Sequence, residues 1–561
     1  MVRFVLVADS SLNASYRNFP LLEFLPSAPI EGVPRLVYKF LQGKPFPSNP
    51  DGSISVTTYA VRKIEAALLQ RFPRNEVVVA HEAHLDKFIK DDTEVIAVST
   101  MDPLGTGPVT MSYITLLKSR RGAWVTKEWH RLIRKINALR QGKKAKLVIG
   151  GPGVWDFTIF PDELEKENID YAFQGESEDV IADFFEQVQT GNFENDKFFE
   201  GYVSIDDNFH RELVKHPKFV TRSPKIGLGP TLDKIPTIVN PAYGGMVEIM
   251  RGCGIGCDFC EVTLRPLRYY TNEMIAKEIA VNMRAGFDNA WLHSDEFFSF
   301  RHTKANFEPN SEALIELVTM VMSIKGIKRT NPTHGRISPP AIYPELIEKL
   351  SKIMKAGPDN WIGIQVGVET GSDSLALKHM PRKTLPLHIG PDGSWNEIVW
   401  QGTYNLNKYY WRPAFTVQVG QADETDEDNW DTVELINKLS NSYVDGRPFE
   451  FTITPLQNVP MGLLKNRKFS AIELNKSQLA VYYASYRHLY KMALRNAKTE
   501  SKRSGNKLAK LGTASVISVG AWAMLKFVEN IARKGGVDIE KVNSYGLESN
   551  KRIESVQMLN R

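Results

Sequence analysis

In the first third of the chain, short β-branched runs alternate with stretches of helical period. Candidate strands are Arg3–Ala8, Glu76–Ala80, Val95–Ser99, Lys146–Gly150 and Tyr171–Phe173, with helical patterns over Thr58–Arg71 and Lys127–Gln141. Strands that are apolar throughout, separated by amphipathic helices, mark a parallel sheet covered on both faces. The pattern therefore predicts an α/β fold whose residues 1–185 form a doubly wound domain. Such sheets hold ligands beyond the carboxyl ends of their strands. Three glycine-bearing loops fall at those ends: Met101–Thr110, Gly150–Val154 and Gln174–Glu178. A glycine often only turns a chain, but it also lets backbone approach a ligand closely. Three such loops at one end of a sheet argue for a ligand site.

Residues 186–240 are polar and proline-containing and read as a linker. A second alternation follows. Strands are expected at Met246–Met250, Ala290–His293, Thr333–Ile337, Ile362–Glu369, Ala414–Gly420 and Phe449–Thr454. Helices are expected at Asn272–Arg284, Ser311–Ile324, Pro344–Ala356, Ser372–His379 and Glu427–Leu439. This succession predicts a (β/α)6 partial barrel over residues 241–458, with catalytic groups at the carboxyl ends of its strands. From residue 459 to 561 the pattern is helical.

A chain of 561 residues exceeds one compact core, so several domains are expected. A net charge of +5 is small for that length and gives no dense basic stripe, so no nucleic-acid partner is expected. No apolar run is long enough to span a bilayer. The opening residues, MVRFVLVADSS, read as a strand and not as a signal peptide, and a cytoplasmic location is expected.

Cysteine usage changes the picture most. The chain has three, all between positions 253 and 260. A disulfide framework would spread them in pairs, so a thiolate metal site in a reducing compartment is the better reading. The loop Cys253-Gly-Ile-Gly-Cys257-Asp-Phe-Cys260 follows the first barrel strand. Four thiolates normally close a four-iron cluster, so three leave one iron open. A buried apolar role fails because a polar, glycine-rich loop is not core. A zinc site would want a fourth Cys or His nearby, and the nearest histidine in reach, His293, belongs to another strand.

This C-x-x-x-C-x-x-C element resembles that of the radical S-adenosylmethionine (SAM) superfamily, and the likeness continues through Val247–Pro455. It implies one 4Fe–4S cluster on Cys253, Cys257 and Cys260, and SAM on the open iron. By the same resemblance, Phe259 lies near the adenine, Asp295 and Glu296 near the methionyl amine, and Glu369 near the sugar. Arg336, after the third strand, joins the implied SAM set. Val419–Thr425 resembles the family's turn after the fifth strand, with Gln421-Ala422 in place of the usual small residue and proline. Each acidic residue also has a plain reading as a helix-capping carboxylate.

A doubly wound domain ahead of such a barrel is similar to the cobalamin-binding radical SAM class. That likeness implies corrin contacts from Thr100, Met101, Asp102, Gly105, Gly150, Gly151, Gly153, Gly175 and Glu176. The histidine motif that supplies a lower axial ligand is absent, and His81 and His84 read as surface histidines.

Near the C-terminus, basic residues predominate from Tyr490 to Lys510, and Leu511–Leu525 is uncharged and apolar. This segment reads either as a buried helix over the barrel or as an interfacial helix on anionic headgroups. Across nearly the whole chain, Ala8-Asp-Ser, Tyr16–Phe24, Ser99–Tyr113 and the barrel turns resemble the archaeal tetraether (GDGT) lipid ring synthases. The resemblance implies an enzyme that forms cyclopentane rings in isoprenoid chains. It implies a tetraether lipid substrate, a low-potential donor of ferredoxin or flavodoxin type, and peripheral contact with the inner membrane face. The alternatives are a cobalamin-dependent radical methyltransferase acting on an unactivated carbon, and a non-catalytic lipid- or cobalamin-binding protein.

Overall fold

The structure is a computed structural model that describes residues 1–16, 20–205, 211–222, 229–459, 461, 473–503 and 507–547. Strands β1 (Phe4–Ala8), β2 (Val77–Val79), β3 (Val95–Ser99), β4 (Lys146–Gly150) and β5 (Tyr171–Gln174) pair in parallel in the order β2-β1-β3-β4-β5. Alternate residues of one strand serve opposite faces. Phe4 and Leu6 pack with Val61, Leu68 and Phe184 on one side. Val5 and Val7 pack with Trp129, Leu132 and Ile136 on the other. Both faces are thus covered, which is why β1 is buried along its whole length. The order reverses between β1 and β3, the switch point at which such sheets bind ligands.

The 186–240 stretch is more than a linker. It contributes β6 (Phe199–Glu200), β7 (Tyr202–Ile205), β8 (Arg211–Val214) and β9 (Phe219–Thr221). β9 runs parallel to β5, and β6 closes the edge antiparallel to β9. These strands are too short and polar to show a period of their own. β9 and, through it, β6 form against the open edge of β5, whereas β7 and β8 pair with each other.

The second unit is built on β10 (Met246–Glu248), β13 (Asn289–His293), β14 (Arg329–Pro332), β15 (Ile362–Glu369), β16 (Trp411–Val419) and β19 (Thr452–Gln457), all parallel. A bridge between His334 and Gln365 joins β14 to β15 and makes the six continuous, as expected of a partial barrel. Two small antiparallel ribbons decorate it, β11 (Met250–Arg251) with β12 (Arg268–Tyr269), and β17 (Tyr443–Val444) with β18 (Arg447–Pro448). The third strand lies earlier than Thr333–Ile337. The Thr333 amide still donates to Leu292 of β13, but the Thr333 carbonyl and the Gly335 amide already bond Gln365 of the next strand. The last strand lies later than Phe449–Thr454, because the Asn407 side chain bonds the backbone of Glu450 from both sides and holds it out of the ladder.

Beyond the barrel, Lys476–Arg503 and Lys507–Lys534 are two long helices that pack on each other, followed by Ile539–Ser544. Among the described residues no helix is long and apolar enough to cross a membrane. The apolar run is not simply buried: Val519 is 62% exposed and Trp522 51%. The side chains of Lys498, Lys502, Arg503, Lys507 and Lys510 lie outside the described residues.

Candidate active site

The β11–β12 ribbon pins the two ends of the cysteine loop at the carboxyl end of β10. Gly252, Gly254 and Gly256 all take positive φ. A Cβ on Gly252 would lie 2.5 Å from the Arg265 carbonyl oxygen, so that position admits only glycine. Cys257 is buried, and Cys253 and Cys260 are half-buried. Burial pushes the Cys257 thiol up to about 12 and raises Cys253 as well, although the Ile255 amide bonds the Cys253 sulfur and opposes the rise. Thiols so placed ionise when a metal replaces the proton. Among the described residues no three Cys, His, Asp or Glu side chains converge on a single ion. A lone tetrahedral metal would draw its sulfurs to about 3.8 Å apart. A cluster that gives each thiolate its own iron spreads them further.

Of the implied SAM residues, Asp295 touches the loop directly: its carboxylate accepts the Gly252 amide at 2.9 Å. Glu369 sits at a bulge in β15 with φ of 68°. Its carboxylate accepts Lys383 Nζ at 2.9 Å and Gln418 Nε2 at 2.8 Å. Phe259 is buried with Lys383 Nζ 5.9 Å from its ring centre. Glu296 and Arg336 are spent on each other, at 3.2 Å. Arg336 also donates to the carbonyls of Leu385 at 2.7 Å and Phe307 at 2.8 Å, while Glu296 accepts the amides of Phe298 and Arg336. This pair fixes the turns after β13 and β14, and Asp295 and Glu369 are the carboxylates beside the cysteine loop.

Three residues here escape sequence reasoning. Lys383 is a buried cation whose charge is held by Glu369 and by the Cys257 and Cys260 sulfurs against the burial that would remove it. His379 bridges Asp258, the residue between two cysteines, at 2.6 Å and the Ala422 carbonyl at 2.9 Å. Arg382 packs over Gly256. His379 ends the Asp373–His379 helix and Arg382 and Lys383 follow it directly, and the one sequence cue is the run of basic residues there. Replacing Lys383 with Met should lower SAM cleavage about 10–100-fold, the usual scale for a group that supports metal ligands. Unchanged cleavage in that variant, measured as 5′-deoxyadenosine formed, would show that the buried charge is idle.

The inner face of the barrel follows from its register. Burial alternates along β16, where Ala414, Thr416 and Gln418 face inward and Phe415, Val417 and Val419 face the helices. Pairing places Gly367 beside Thr416 and Thr454, Gln365 beside His334, and Glu248 beside His293. The lumen is therefore lined largely by hydrogen-bonding groups, a surface suited to a polar cosubstrate such as SAM.

A cavity of about 360 Å³ lies at the other side of the loop. It runs from Leu6, Ser99, Gly150 and Gln174 on the sheet to Glu248, Arg251 and Glu261 on the barrel, and Glu261 directly follows Cys260. Of the implied corrin residues, Gly150, Gly151, Gly175 and Glu176 line it, whereas Thr100, Met101, Asp102, Gly105 and Gly153 do not. Asp102 instead ties its own loop, accepting the Thr106 and Gly107 amides at 2.8 Å each. Gly153 packs against Met101, where a Cβ would meet the Met101 carbonyl carbon at 2.7 Å. Glu176 turns toward the barrel and accepts Arg251 at 2.8 Å and Arg268 at 2.5 Å.

The three-cysteine loop at the first strand of a six-stranded partial barrel defines a class, and comparison with known families agrees: residues 247–436 match the Radical SAM superfamily. The chain therefore carries a radical SAM domain, whose cofactors are a 4Fe–4S cluster and SAM. No curated protein matches the chain. Among solved structures, the cobalamin-dependent S-adenosylmethionine radical enzyme OxsB with aqua-cobalamin bound is 10% identical, with a TM-score of 0.55 over 100% of this chain and 76% of that one. The apo, selenomethionine-labelled form of OxsB gives 11% identity and a TM-score of 0.52, covering 99% and 75%. The radical SAM methyltransferase TsrM from Kitasatospora setae, with tryptophan and a SAM analogue, is 13% identical over 81% and 73%, at a TM-score of 0.49. At such identities the OxsB likeness establishes the fold: a doubly wound domain, a radical SAM barrel and a helical C-terminal region in one chain.

Proposed function

We propose that the chain is a cobalamin-dependent radical SAM enzyme that transfers a methyl group to an unactivated carbon. The observation that carries this reading is the cavity itself, because it joins the switch point of the sheet to the residue beside a cluster cysteine. Part of its lining is bare backbone. A Cβ on Gly150 would meet nothing within 4 Å, and one on Gly175 only Arg222 at 3.9 Å. Among the described residues no histidine lines it. His81 belongs elsewhere, capping the Glu82–His84 turn by accepting the Ala83 amide.

Bound in that cavity, cobalamin would supply a carrier for the methyl group, while SAM cleavage at the cluster would supply the radical that removes hydrogen. The chain's own residues set the stage. Asp295 and the three glycines hold the cluster loop, Lys383 and Glu369 place a compensated charge beside it, and Glu248, Arg251 and Arg265 wall the cavity. The polar lumen would position SAM.

Ring closure in tetraether isoprenoid chains is the second reading. One observation favours it: apolar side chains exposed on a C-terminal helix, with Met524 38% and Phe527 46% exposed beside Val519 and Trp522. Such a face suits peripheral contact with a lipid surface, where the substrate would be drawn from. The products decide. With SAM, cobalamin, a low-potential reductant and an uncyclised tetraether, methyl transfer yields S-adenosylhomocysteine with 5′-deoxyadenosine, and the lipid gains one methylene. Ring closure yields methionine and 5′-deoxyadenosine without S-adenosylhomocysteine, and the lipid loses two hydrogens per ring. Failure of the purified protein to retain cobalamin would overturn the cavity assignment on which the first reading stands.

A further inference from the structure

The N-terminal domain carries an apolar surface that the chemistry above does not use. The helix Arg35–Gln42 is locked on its inner side. Tyr38, fully buried, stacks on Trp124 at 4.3 Å with the rings 6° apart. Trp124 Nε1 donates to the Val33 carbonyl at 2.9 Å, just ahead of the helix. Gln42 Nε2 donates to the Ser10 carbonyl at 2.9 Å, and Lys39 pairs with the buried Glu128 at 2.8 Å. A helix held this firmly has no freedom to rotate its other side inward. That side presents Leu36, 85% exposed, Phe40, 64%, and Val37, 46%. Phe24, 37% exposed, lies on the Pro20–Ser27 segment that packs against the same helix.

Scattered exposed apolar residues need no explanation, but four large ones on a pinned surface do. The charge around them supplies it. Arg35 opens the helix and Lys44 follows it, and Lys118, which pairs with Glu473 at 3.6 Å, Arg120 and Arg121 are exposed on the loop beside it. That loop is tied to the segment before the helix, because the Ile30 amide donates to the Gly122 carbonyl. Two acids lie on this segment: Glu31 is occupied by the amides of Arg120 and Arg121 and by the Ser119 hydroxyl, and Glu23, beside Phe24, has its carboxyl raised by burial. An apolar centre with a cationic margin is the composition of an interfacial helix, whose apolar side enters the headgroup boundary while its basic residues meet anionic lipid.

We propose that this face, centred on Leu36 and Val37, docks the protein on an anionic bilayer surface. The proposal rests on the surface alone and holds whichever reaction the enzyme performs. The test uses the full-length protein and sedimentation with vesicles of phosphatidylglycerol and phosphatidylcholine, against phosphatidylcholine alone. Wild-type protein should favour the anionic vesicles. The double variant Leu36→Glu/Val37→Glu should bind them at least about tenfold more weakly. Arg120→Glu/Arg121→Glu should lose most of the preference for anionic over neutral lipid. Melting temperatures at the wild-type value would confirm that these exposed positions do not affect folding. Trp522→Glu/Phe527→Glu tests the C-terminal helix separately. If that variant abolishes all binding while Leu36→Glu/Val37→Glu changes none, the proposal is wrong. It is equally wrong if Leu36→Glu/Val37→Glu converts a dimer to a monomer and leaves vesicle binding intact, since the face would then join two copies of the chain.

Discussion

With Cys257 replaced by alanine, bound iron is expected to fall to background and 5′-deoxyadenosine production to disappear. The three cysteines of the chain are the only thiolates available, and each must hold a separate iron. Cys257 is the most buried of them and carries the closest electrostatic coupling to Lys383. Its removal leaves the Lys383–Glu369 pair, joined at 2.9 Å, beside an empty site. Neither Cys253 nor Cys260 can shift to cover it. Gly252 is wedged against Arg265, and the Cys260 amide is already bonded to the Cys257 carbonyl. The barrel should still fold, because the loop's ends are fixed by the β11–β12 ribbon and not by the metal. The measurement is iron content after anaerobic reconstitution, followed by SAM cleavage with a low-potential reductant. A variant that cleaves SAM at the normal rate would sink the radical SAM assignment for this loop.

How much of this was legible in the sequence depended on which forces fix each part. The helix Asn272–Arg284 and the strand Ile362–Glu369 fall where their patterns place them. Each is set by local signals, a Thr271 side chain that accepts the Met274 amide in one case and strict alternation in the other. The helix Trp395–Lys408 was legible but not read. Ser394 and Glu397 form a reciprocal capping box that stands in the sequence as S-W-N-E. The strand Arg329–Pro332 was not legible, since Arg-Thr-Asn-Pro has neither period nor propensity and becomes a strand only because β13 lies beside it. At the site, the cysteine spacing announced itself. The Lys383–Glu369 pair and the His379–Asp258 bridge join residues 14 and 121 positions apart, and contacts between such positions leave no local mark. The resemblance implies a corrin contact from Glu176, which lines the cavity, but its ion pairs with Arg251 and Arg268 leave no local mark.

That last contact leads to the second large effect: replacing Arg251 with Met should destabilise the protein by roughly 3–5 kcal/mol near neutral pH. Arg251 stands immediately before Gly252 and Cys253, and its guanidinium gathers three carboxylates from both domains. Glu248 is reached at 2.8 Å, Glu176 at 2.8 Å and Glu178 at 2.5 Å. Arg268 shares Glu176, and among the described residues Arg251 is the ion-pair partner of Glu178. In the wild type, Arg251 holds the Glu248 carboxyl below its ordinary value in spite of burial. A depressed carboxylate stabilises the fold above the ordinary glutamate range and loses that contribution as pH falls through the folded value. Without Arg251 the sign reverses. Burial then raises Glu248, the protonated form fits the fold better, and the variant's deficit should shrink as pH is lowered from about 8 to about 5. Adding Glu248→Gln to Arg251→Met should restore part of the loss, because it removes one stranded charge. The readouts are melting temperature at both pH values and the fraction of cluster retained. The second readout matters because this arginine connects the cavity wall to the cysteine loop, so loosening it should release iron even where the fold survives. A variant that melts with the wild type at pH 8, or whose deficit grows on acidification, would show that the three carboxylates are not held by Arg251.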